Sequence, residues 1–394
     1  MKNKIFKILS IVMTVVFMIA FVGCSQSEPV VEVQTEPTPS PTPTIRPADT
    51  VSFVAAGDNL IHASIYLQAA RRSTDGGYDF DYAYANTEDY FDDFDVAFIN
   101  QETLVNDAYA PSHYPQFSTP LALGEKVLEM GFDVVATSNN HSYDKGVKGI
   151  KSSLEYWNSK PVVNVGFYTG NDEIDIKYLT KNNITMAFMA YTYGTNGISI
   201  YDDTSPYIIN CEDFEKIDRH VAIAKENADV VIVSCHWGIE DTNNLNSYQE
   251  YVANHLNEIG VDIIIGTHPH VIQTVEWRTH PENGNKTLIC YSLGNFISGQ
   301  SKANNMLGGL FQFELVKTYD EEENFTLSIE NPYFVPTITH YDTNYTNIRN
   351  YLLADYTPDM AATHGVKEHD GKFSYDYIEN IVYSVIPEEF LLYK

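Results

Sequence analysis

The segment IIIGTHPH, residues 263–270, runs from a short β-branched stretch directly into two histidines. Apolar runs this short are typical of strands that are buried on both faces of a sheet. Four other runs end in the same way, within a few residues of a carboxylate, an amide or an imidazole: residues 51–56 before Asp58, 96–99 before Glu102, 134–136 before Asn140 and His141, and 230–233 before His236. Because ligands gather at the carboxyl ends of strands in an open α/β sheet, we expect these distant side chains to meet at one site.

The donors at these strand ends have the chemistry of a metal site. His268 and His270 flank Pro269, and in an extended segment their imidazoles should point the same way. Mixed nitrogen and oxygen ligands without thiolate suit Mn²⁺, Fe or Zn²⁺ better than Mg²⁺. Six or more ligands exceed the number that one tetrahedral ion needs. We therefore expect two divalent ions about 3.5–4 Å apart, bridged by Glu102.

The loop SNNHSYDKG, residues 138–146, is the densest polar cluster of the chain. Asn140 offers a neutral oxygen ligand. His141 is a candidate catalytic acid that would protonate a leaving group, and Asp144 would either orient His141 or cap the following helix. An Asn-His pair in a loop is weak evidence alone, and its place in the series of strand ends gives it weight.

Strand-like runs alternate with amphipathic stretches from residue 51 to about 296, which is typical of a layered α/β architecture. Helices are predicted over residues 121–130, 145–157, 212–227 and 247–259, the last ending before Gly260. Runs without long helices between them predict an antiparallel second sheet: residues 184–193, 271–277, 288–293 and 310–316. Beyond residue 316 the pattern weakens, and residues 317–394 are assigned to a C-terminal extension without a function. Within it we expect edge strands over 325–329 and 333–339, and helices over 344–356 and 375–385.

The first 24 residues resemble a bacterial lipoprotein signal. Three lysines precede the apolar run of residues 5–22, and Gly23 stands directly before Cys24. Cys24 is therefore predicted to be lipidated and to anchor the chain on the extracytoplasmic face of the cell membrane; a single uncleaved membrane anchor is the alternative. The proline-rich residues 25–50 predict an extended tether, which at ~3.1 Å per residue would reach up to ~75 Å.

Charge and cysteine content narrow the range of partners. The formal net charge of −29 argues against nucleic acid and anionic lipid surfaces as partners. Besides Cys24, the chain has Cys211, Cys235 and Cys290, an odd number that excludes a complete disulfide framework. Cys235 and Cys290 lie in apolar runs, where we expect them to be buried as small hydrophobic residues.

The motifs AGDN, INQET, SNNHSYDKG, CHWGIE, GTHPHVIQ and YSLGNF, in this order, resemble those of the capsule synthesis protein CapA family of bacteria. The resemblance covers roughly residues 51–300. The family is associated with the synthesis and export of poly-γ-glutamate capsule, and its fold is similar to that of calcineurin-like metallophosphoesterases. The resemblance implies an α/β fold, a four-layer α/β/β/α sandwich of the metallo-dependent phosphatase type, over residues 51–316.

The resemblance also implies roles for individual residues. It places one set of side chains at metal positions: Asp58, Glu102, Asn140, His236, His268 and His270. His141 falls at the acid position. Leu60 stands where the phosphoesterase pattern Asp-x-His has its histidine, so one metal position should be weaker, differently ligated or absent. The motif at residues 291–296 has no metal counterpart and is expected to be a strand and turn that line the site.

Three functions fit these observations. The first is a lipid-anchored extracytoplasmic protein of capsule or surface-polymer synthesis or export, which the resemblance would pair with membrane subunits of a capsule polymer synthase. The second is a metal-dependent phosphoesterase for another surface substrate. The third is a non-catalytic accessory subunit that keeps its ligands but turns nothing over. A resemblance of fold alone does not choose between them.

Overall fold

The buried runs form the strands of two β-sheets in a computed structural model that describes residues 46–169, 176–200 and 205–392. The predicted signal segment and Cys24 lie outside these residues. The strands are β1 (Asp49–Asn59), β2 (Val96–Asn100), β3 (Val134–Ala136), β4 (Val163–Val165), β5 (Lys177–Lys181), β6 (Ile184–Thr192), β7 (Val230–His236), β8 (Ile263–Thr267), β9 (Val275–Thr279), β10 (Lys286–Cys290), β11 (Asn295–Ile297), β12 (Leu307–Tyr319), β13 (Phe325–Asp342) and β14 (Thr346–Leu352). The helices are α1 (Ala63–Arg72), α2 (Asp81–Tyr84), α3 (Leu121–Glu129), α4 (Gly146–Asn158), α5 (Phe214–Asn227), α6 (Ser247–Ile259), α7 (Pro358–Thr363) and α8 (Tyr375–Val385).

The first sheet has the strand order β14-β13-β12-β1-β2-β3-β4. Strands β1 to β4 are parallel, and β12, β13 and β14 continue the sheet in antiparallel fashion. The short strand β11 pairs with the end of β1, where Asp58 is in register with Asn295. The residues 291–296, which were expected to line the site, therefore reach it through β11.

The second sheet has the strand order β5-β6-β7-β8-β10-β9. Its four central strands are parallel, and only the edge strands β5 and β9 run antiparallel. The prediction of an antiparallel second sheet was therefore wrong. Residues 184–193 form a strand parallel to β7, and residues 310–316 belong to β12 of the first sheet. The sequence of one run does not show its partner strand, because pairing depends on segments that are distant in the chain.

The two sheets pack face to face with helices on their outer sides. The ring of Phe53 on β1 stacks on that of Phe188 on β6 at 6.3 Å between centroids, and both side chains are almost fully buried. Helices α5 and α6 pack against the second sheet through a separate cluster of buried apolar side chains. Helices α3 and α4 pack against the first sheet. These layers make the four-layer α/β/β/α sandwich that was predicted.

Local signals explain why the helices end where they do. Asn246 caps α6 by accepting a hydrogen bond from the Gln249 N–H at 2.8 Å. The side-chain oxygen of Gln249 in turn accepts a hydrogen bond from the Asn246 N–H. Gly260 ends the helix at a φ of 86°, a left-handed conformation that favours glycine, as predicted. Among the described residues, no helix is both long and apolar enough to cross a bilayer.

Residues 317–392 form strands of the first sheet and the helices α7 and α8, which contribute to the same hydrophobic core. Strand β12 crosses the predicted boundary at residue 316, and β13 is a single strand paired on both sides rather than two edge strands. The prediction of a helix over residues 344–356 was wrong. Most of this segment forms β14, and it is rich in Tyr and Asn, which are poor helix formers. The predicted helix over residues 375–385 is confirmed as α8.

The three cysteines in the described part of the chain are free and buried. Cys235 lies in β7, one residue before its end, and Cys290 ends β10; both are fully buried in apolar surroundings. Their predicted role as small hydrophobic residues is confirmed.

Candidate metal centre

The carboxyl ends of five strands, three from one sheet and two from the other, meet at a single site. Asp58 belongs to β1, Glu102 follows β2, and Asn140 lies in the loop after β3. From the second sheet come the side chains of His236, His268 and His270, at the ends of β7 and β8. All six are 3% exposed or less. The structure thus brings together residues that are more than 200 positions apart in the chain.

Asp58 connects the two sheets directly. Its Oδ1 accepts a hydrogen bond from Asn100 Nδ2 at 2.8 Å, and its Oδ2 lies 3.0 Å from His270 Nδ1. The backbone N–H of His268 also donates to this carboxylate, at 3.3 Å. Asp58 is therefore held by one neighbour from its own sheet and by two from the other.

Glu102 lies at the centre of the cluster. Its Oε1 is 3.7 Å from His270 Nε2 and 3.9 Å from His236 Nε2. Both carboxylate oxygens are buried without a hydrogen-bond partner among the described residues. Burial raises the pKa of Glu102 well above its usual value, although the charge of His270 opposes this. A buried carboxylate with two unpaired oxygens needs a proton or a cation to offset its lost hydration.

The three histidines differ in their surroundings. Burial, reinforced by the neighbouring imidazoles, lowers the pKa of His236 and of His268 well below the usual value, which favours their neutral forms. Burial also lowers the pKa of His270, but the carboxylates of Glu102 and Asp58 outweigh it and raise the value to about 10.

His236 is positioned from both sides of the site. Its Nε2 lies 3.0 Å from Asn140 Oδ1, and its Nδ1 lies 3.0 Å from the hydroxyl of Thr267 on β8. The contact with Thr267 fixes the orientation of the ring, as a second partner commonly does for histidines that bind metals. Nε2 then faces Asn140 and Glu102.

His141 and Asp144 form a pair at the edge of the cluster. His141 Nδ1 lies 2.8 Å from Asp144 Oδ2, which also accepts the Phe117 N–H at 2.6 Å. The ring of Phe117 packs edge-on against that of His141 at 4.7 Å. Asp144 therefore orients His141 through Nδ1 rather than capping α4.

Two glycines allow the strand ends to approach the turn before β11. A Cβ added at Gly57 would lie 2.1 Å from Gly294 O, and one at Gly266 would lie 2.0 Å from Tyr291 O. Only a residue without a side chain fits at either position. These close approaches bring the ends of β1 and β8 together, and with them Asp58 and the histidines.

The donor atoms fit divalent metal ions. Asp58, Glu102 and His270 each offer a ligand atom within 4.8 Å of the others, and so do Glu240, His268 and His270. The unpartnered oxygens of Glu102 lie where a cation would satisfy them. Carboxylate, amide and imidazole donors suit Mn²⁺, Fe or Zn²⁺.

Several residues that shape the site were not among the predicted site residues, although His62 was considered as a possible extra ligand. Asn100 bonds Asp58, and the ring of Tyr193, just after β6, lies 4.5 Å from that of His268. Glu240 stands in the motif CHWGIE, which drew attention to its histidine alone. His62, one turn from Asp58 in the chain, accepts the Gly299 N–H on its Nδ1 at 3.0 Å. Two of these residues carried a signal in the sequence. Asn100 and Glu102 alternate after β2, so an extended chain would place both side chains on the same side, and His62 lies one turn from Asp58.

Two face-to-face sheets with helices on their outer sides define a four-layer α/β/β/α sandwich, which carries nitrogen and oxygen donors at its strand ends. Within that class, the chain belongs to the family of bacterial capsule synthesis proteins PGA_cap, which matches residues 52–300. The family assignment made from the motifs is thereby confirmed.

Two curated relatives carry capsule-related names. The PGA biosynthesis protein CapA of Bacillus subtilis (strain 168) is 33% identical over 195 residues, which cover 49% of this chain and 50% of the relative. The capsule biosynthesis protein CapA of Bacillus anthracis is 31% identical over 195 residues, covering 48% and 46%. This chain therefore spans about half the length of the curated relatives that it matches.

Solved structures show a more distant likeness. A Staphylococcus aureus protein described as a candidate 5′-nucleotidase, in complex with alpha-ketoglutarate, has a TM-score of 0.45 and 17% identity, over 73% of this chain and 54% of that one. The NAD nucleotidase NadN of Haemophilus influenzae has a TM-score of 0.42 and 12% identity, over 74% and 58%. The assignment of the fold rests on the strand order and layers of this chain itself.

Proposed function

We propose that this chain is a membrane-anchored extracytoplasmic protein of capsule or surface-polymer synthesis or export, whose site acts with divalent metal ions. Membership of the PGA_cap family and the names of the two relatives support the capsule role. The lysines, the apolar run and Cys24 of the N-terminal segment support the anchor, with the proline-rich residues as a tether. Membrane subunits of a polymer synthase would then be its partners.

The observation that carries the proposal is the unpaired carboxylate of Glu102. Both of its oxygens are buried without a hydrogen-bond partner in the part of the chain that the structure describes. It faces imidazoles from the second sheet at 3.7 and 3.9 Å. Asp58, Asn140, His236, His268 and His270 would hold divalent ions together with Glu102, and these six donors are enough for two ions.

The residues of this chain divide the chemistry between them. Bound divalent ions supply a nucleophilic water at neutral pH and neutralise the negative charge that develops on the substrate. His141 donates a proton from Nε2 to the leaving oxygen or nitrogen, because Asp144 engages the opposite ring nitrogen. The hydrogen bond from the Phe117 N–H keeps Asp144 in place, and the Phe117 ring shields one edge of His141 from water.

A hydrolase for a phosphate ester is the second candidate, because the same arrangement suits phosphoryl transfer to water. The His141–Asp144 pair favours either catalytic function over a purely accessory role, since binding an ion alone needs no oriented proton donor. The two enzymes would differ in substrate and would share the residues that act on it.

The site is tested by metal content and turnover together. Purified protein is equilibrated with Mn²⁺, desalted, analysed for bound metal and assayed with aryl phosphate esters and with short poly-γ-glutamate. We expect bound metal in the wild type, and its loss with any activity in Asn140→Ala and His270→Ala. His255→Gln, on α6 with its imidazole paired to Asp218, is the matched control and should behave as wild type.

Each outcome points to one function. Turnover of aryl phosphates that needs Asn140 and His270 favours the phosphoesterase, and cleavage or transfer of the polymer favours the capsule enzyme. Bound metal without turnover of either substrate favours an accessory role in capsule synthesis. If the wild type binds no metal and neither substitution changes metal content or activity, the proposed site is contradicted.

A further inference from the structure

The carboxylate of Glu240 lies beside the two histidines of the HPH segment, although it follows a different strand. Glu240, His268 and His270 each place one ligand atom within 4.8 Å of the others. Glu240 is exposed, whereas both histidines are 3% exposed. This group therefore opens to solvent on one side, unlike the buried group of Asp58, Glu102 and His270.

His268 has a nitrogen that nothing in the described chain satisfies. Its Nδ1 is buried and has no hydrogen-bond partner among those residues. Leaving such a group unpaired destabilises the fold, so a buried imidazole nitrogen without a partner indicates a ligand that it binds. Imidazole nitrogens are the commonest metal ligands in proteins, and His268 belongs to a group of side chains whose ligand atoms lie close together.

The backbone of the HPH segment is held in a conformation that few side-chain-bearing residues adopt. His268 has a φ of 99° and His270 a φ of 57°. Such strained backbone conformations are concentrated at active sites and ligand-binding sites. Asn305 and Asn295 hold the segment in place, since each donates a hydrogen bond from Nδ2 to His270 O, at 3.2 and 3.3 Å.

The loop that carries Glu240 is fixed to the same segment on both sides. Before it, the Trp237 N–H donates to Thr267 O at 3.1 Å. After it, the Asp241 N–H donates to Pro269 O at 2.9 Å, and Asn305 Nδ2 bonds Asp241 Oδ1 at 2.9 Å. Glu240 is thus exposed but anchored, at a fixed place relative to the histidines.

We propose that Glu240 is a further ligand of one of the two ions, which it would hold together with His268 and His270 on the side of the site that opens to solvent. The inference rests on the proposed metal-dependent function and deepens it. Two imidazoles and one carboxylate suit Mn²⁺, Fe or Zn²⁺, and a position open to solvent leaves room for water or for an anionic group of the substrate. In a chain with a net charge of −29, this position would recognise a carboxylate or phosphate at the end of a polymer.

Substitutions of Glu240 separate coordination from simple charge attraction. Glu240→Gln removes the anionic ligand, whereas Glu240→His replaces it with a neutral ligand. Glu282→Gln, an exposed acid on the connection between β9 and β10, is the matched control. Bound Mn²⁺ is counted by elemental analysis of the full chain after desalting, the affinity is measured by titration, and electron paramagnetic resonance reports whether two Mn²⁺ ions are coupled.

We expect two Mn²⁺ ions per chain in the wild type and in Glu282→Gln. In Glu240→Gln, one ion should bind at least about tenfold more weakly, with loss of the coupled signal, and Glu240→His should retain both ions. Equal binding by wild type and Glu240→Gln overturns this inference but leaves the proposed metal site intact. Loss in both Glu240 variants assigns the effect to charge and also overturns it, and a wild type without metal overturns the inference and the proposed function together.

Discussion

Gly57 makes the position of Asp58 sensitive to a single methyl group. In Gly57→Ala the new Cβ would lie 2.1 Å from Gly294 O and 2.9 Å from Leu293 Cβ. The same Gly294 carbonyl accepts the hydrogen bond of the Asp58 N–H at 2.9 Å. The carbonyl therefore cannot retreat from the methyl group without lengthening the bond that holds Asp58.

The size of the effect follows from these distances. Ordinary contacts begin at 3.4 Å, so the end of β1 and the turn at Gly294 must separate by roughly 1.3 Å, the difference between 3.4 and 2.1 Å. Metal sites hold their ligand distances to about 0.2 Å, and a shift several times larger removes Asp58 from the ligand set. Disturbing the support of a ligand costs about 10–100-fold in metal affinity. The overpacking itself costs about 1–3 kcal/mol of stability, which leaves the fold intact.

The assay is calorimetric titration of Mn²⁺ into wild type, Gly57→Ala and Gly371→Ala, with the melting temperature of each measured in parallel. Gly371 is the control, because an added Cβ there meets no atom of the described residues within 4 Å. Gly57→Ala should fold and bind Mn²⁺ about 10–100-fold more weakly, and Gly371→Ala should match the wild type. Wild-type affinity in Gly57→Ala would refute the link between this close approach and the position of Asp58.

Two further predictions concern stability and anchoring. Burial lowers the pKa of His364 to about 3 in the folded state, whereas an exposed histidine has a pKa near 6.5. The contribution of His364 to the free energy of unfolding is therefore full above pH 6.5 and falls as the pH drops towards 3, by ~2 kcal/mol at pH 5. In His364→Asn, which keeps an acceptor for the Val366 N–H, urea unfolding should lose this part of the pH dependence; an unchanged slope between pH 7 and 5 would count against it. Cys24→Ala should release the chain from the membrane fraction of expressing cells, and retention there would favour an uncleaved anchor instead.

The sequence predicted which side chains meet at the strand ends better than it predicted the pairing of the strands. Each donor follows its strand within a few residues, so Asp58 and His236 could be found from local pattern alone. Pairing depends on distant segments, and nothing within residues 184–193 shows that they pair with β7 in parallel. Glu240 was missed for a related reason, since an exposed acid in a loop looks like surface until the HPH segment is seen beside it.

The ligand set divides between the two sheets, and this ties metal binding to their packing. Asp58, Glu102 and Asn140 come from the first sheet, and the histidines come from the second. In an unfolded chain these groups are far apart, so a cation would bind the folded state in strong preference and stabilise it by that difference. The same reasoning explains how a carboxylate can be fully buried at Glu102, because its cost is offset only when the imidazoles of the other sheet and a cation face it. Stacking of Phe53 on Phe188 between the sheets therefore contributes to the site as well as to the core, since any change that separates the sheets also separates the ligands.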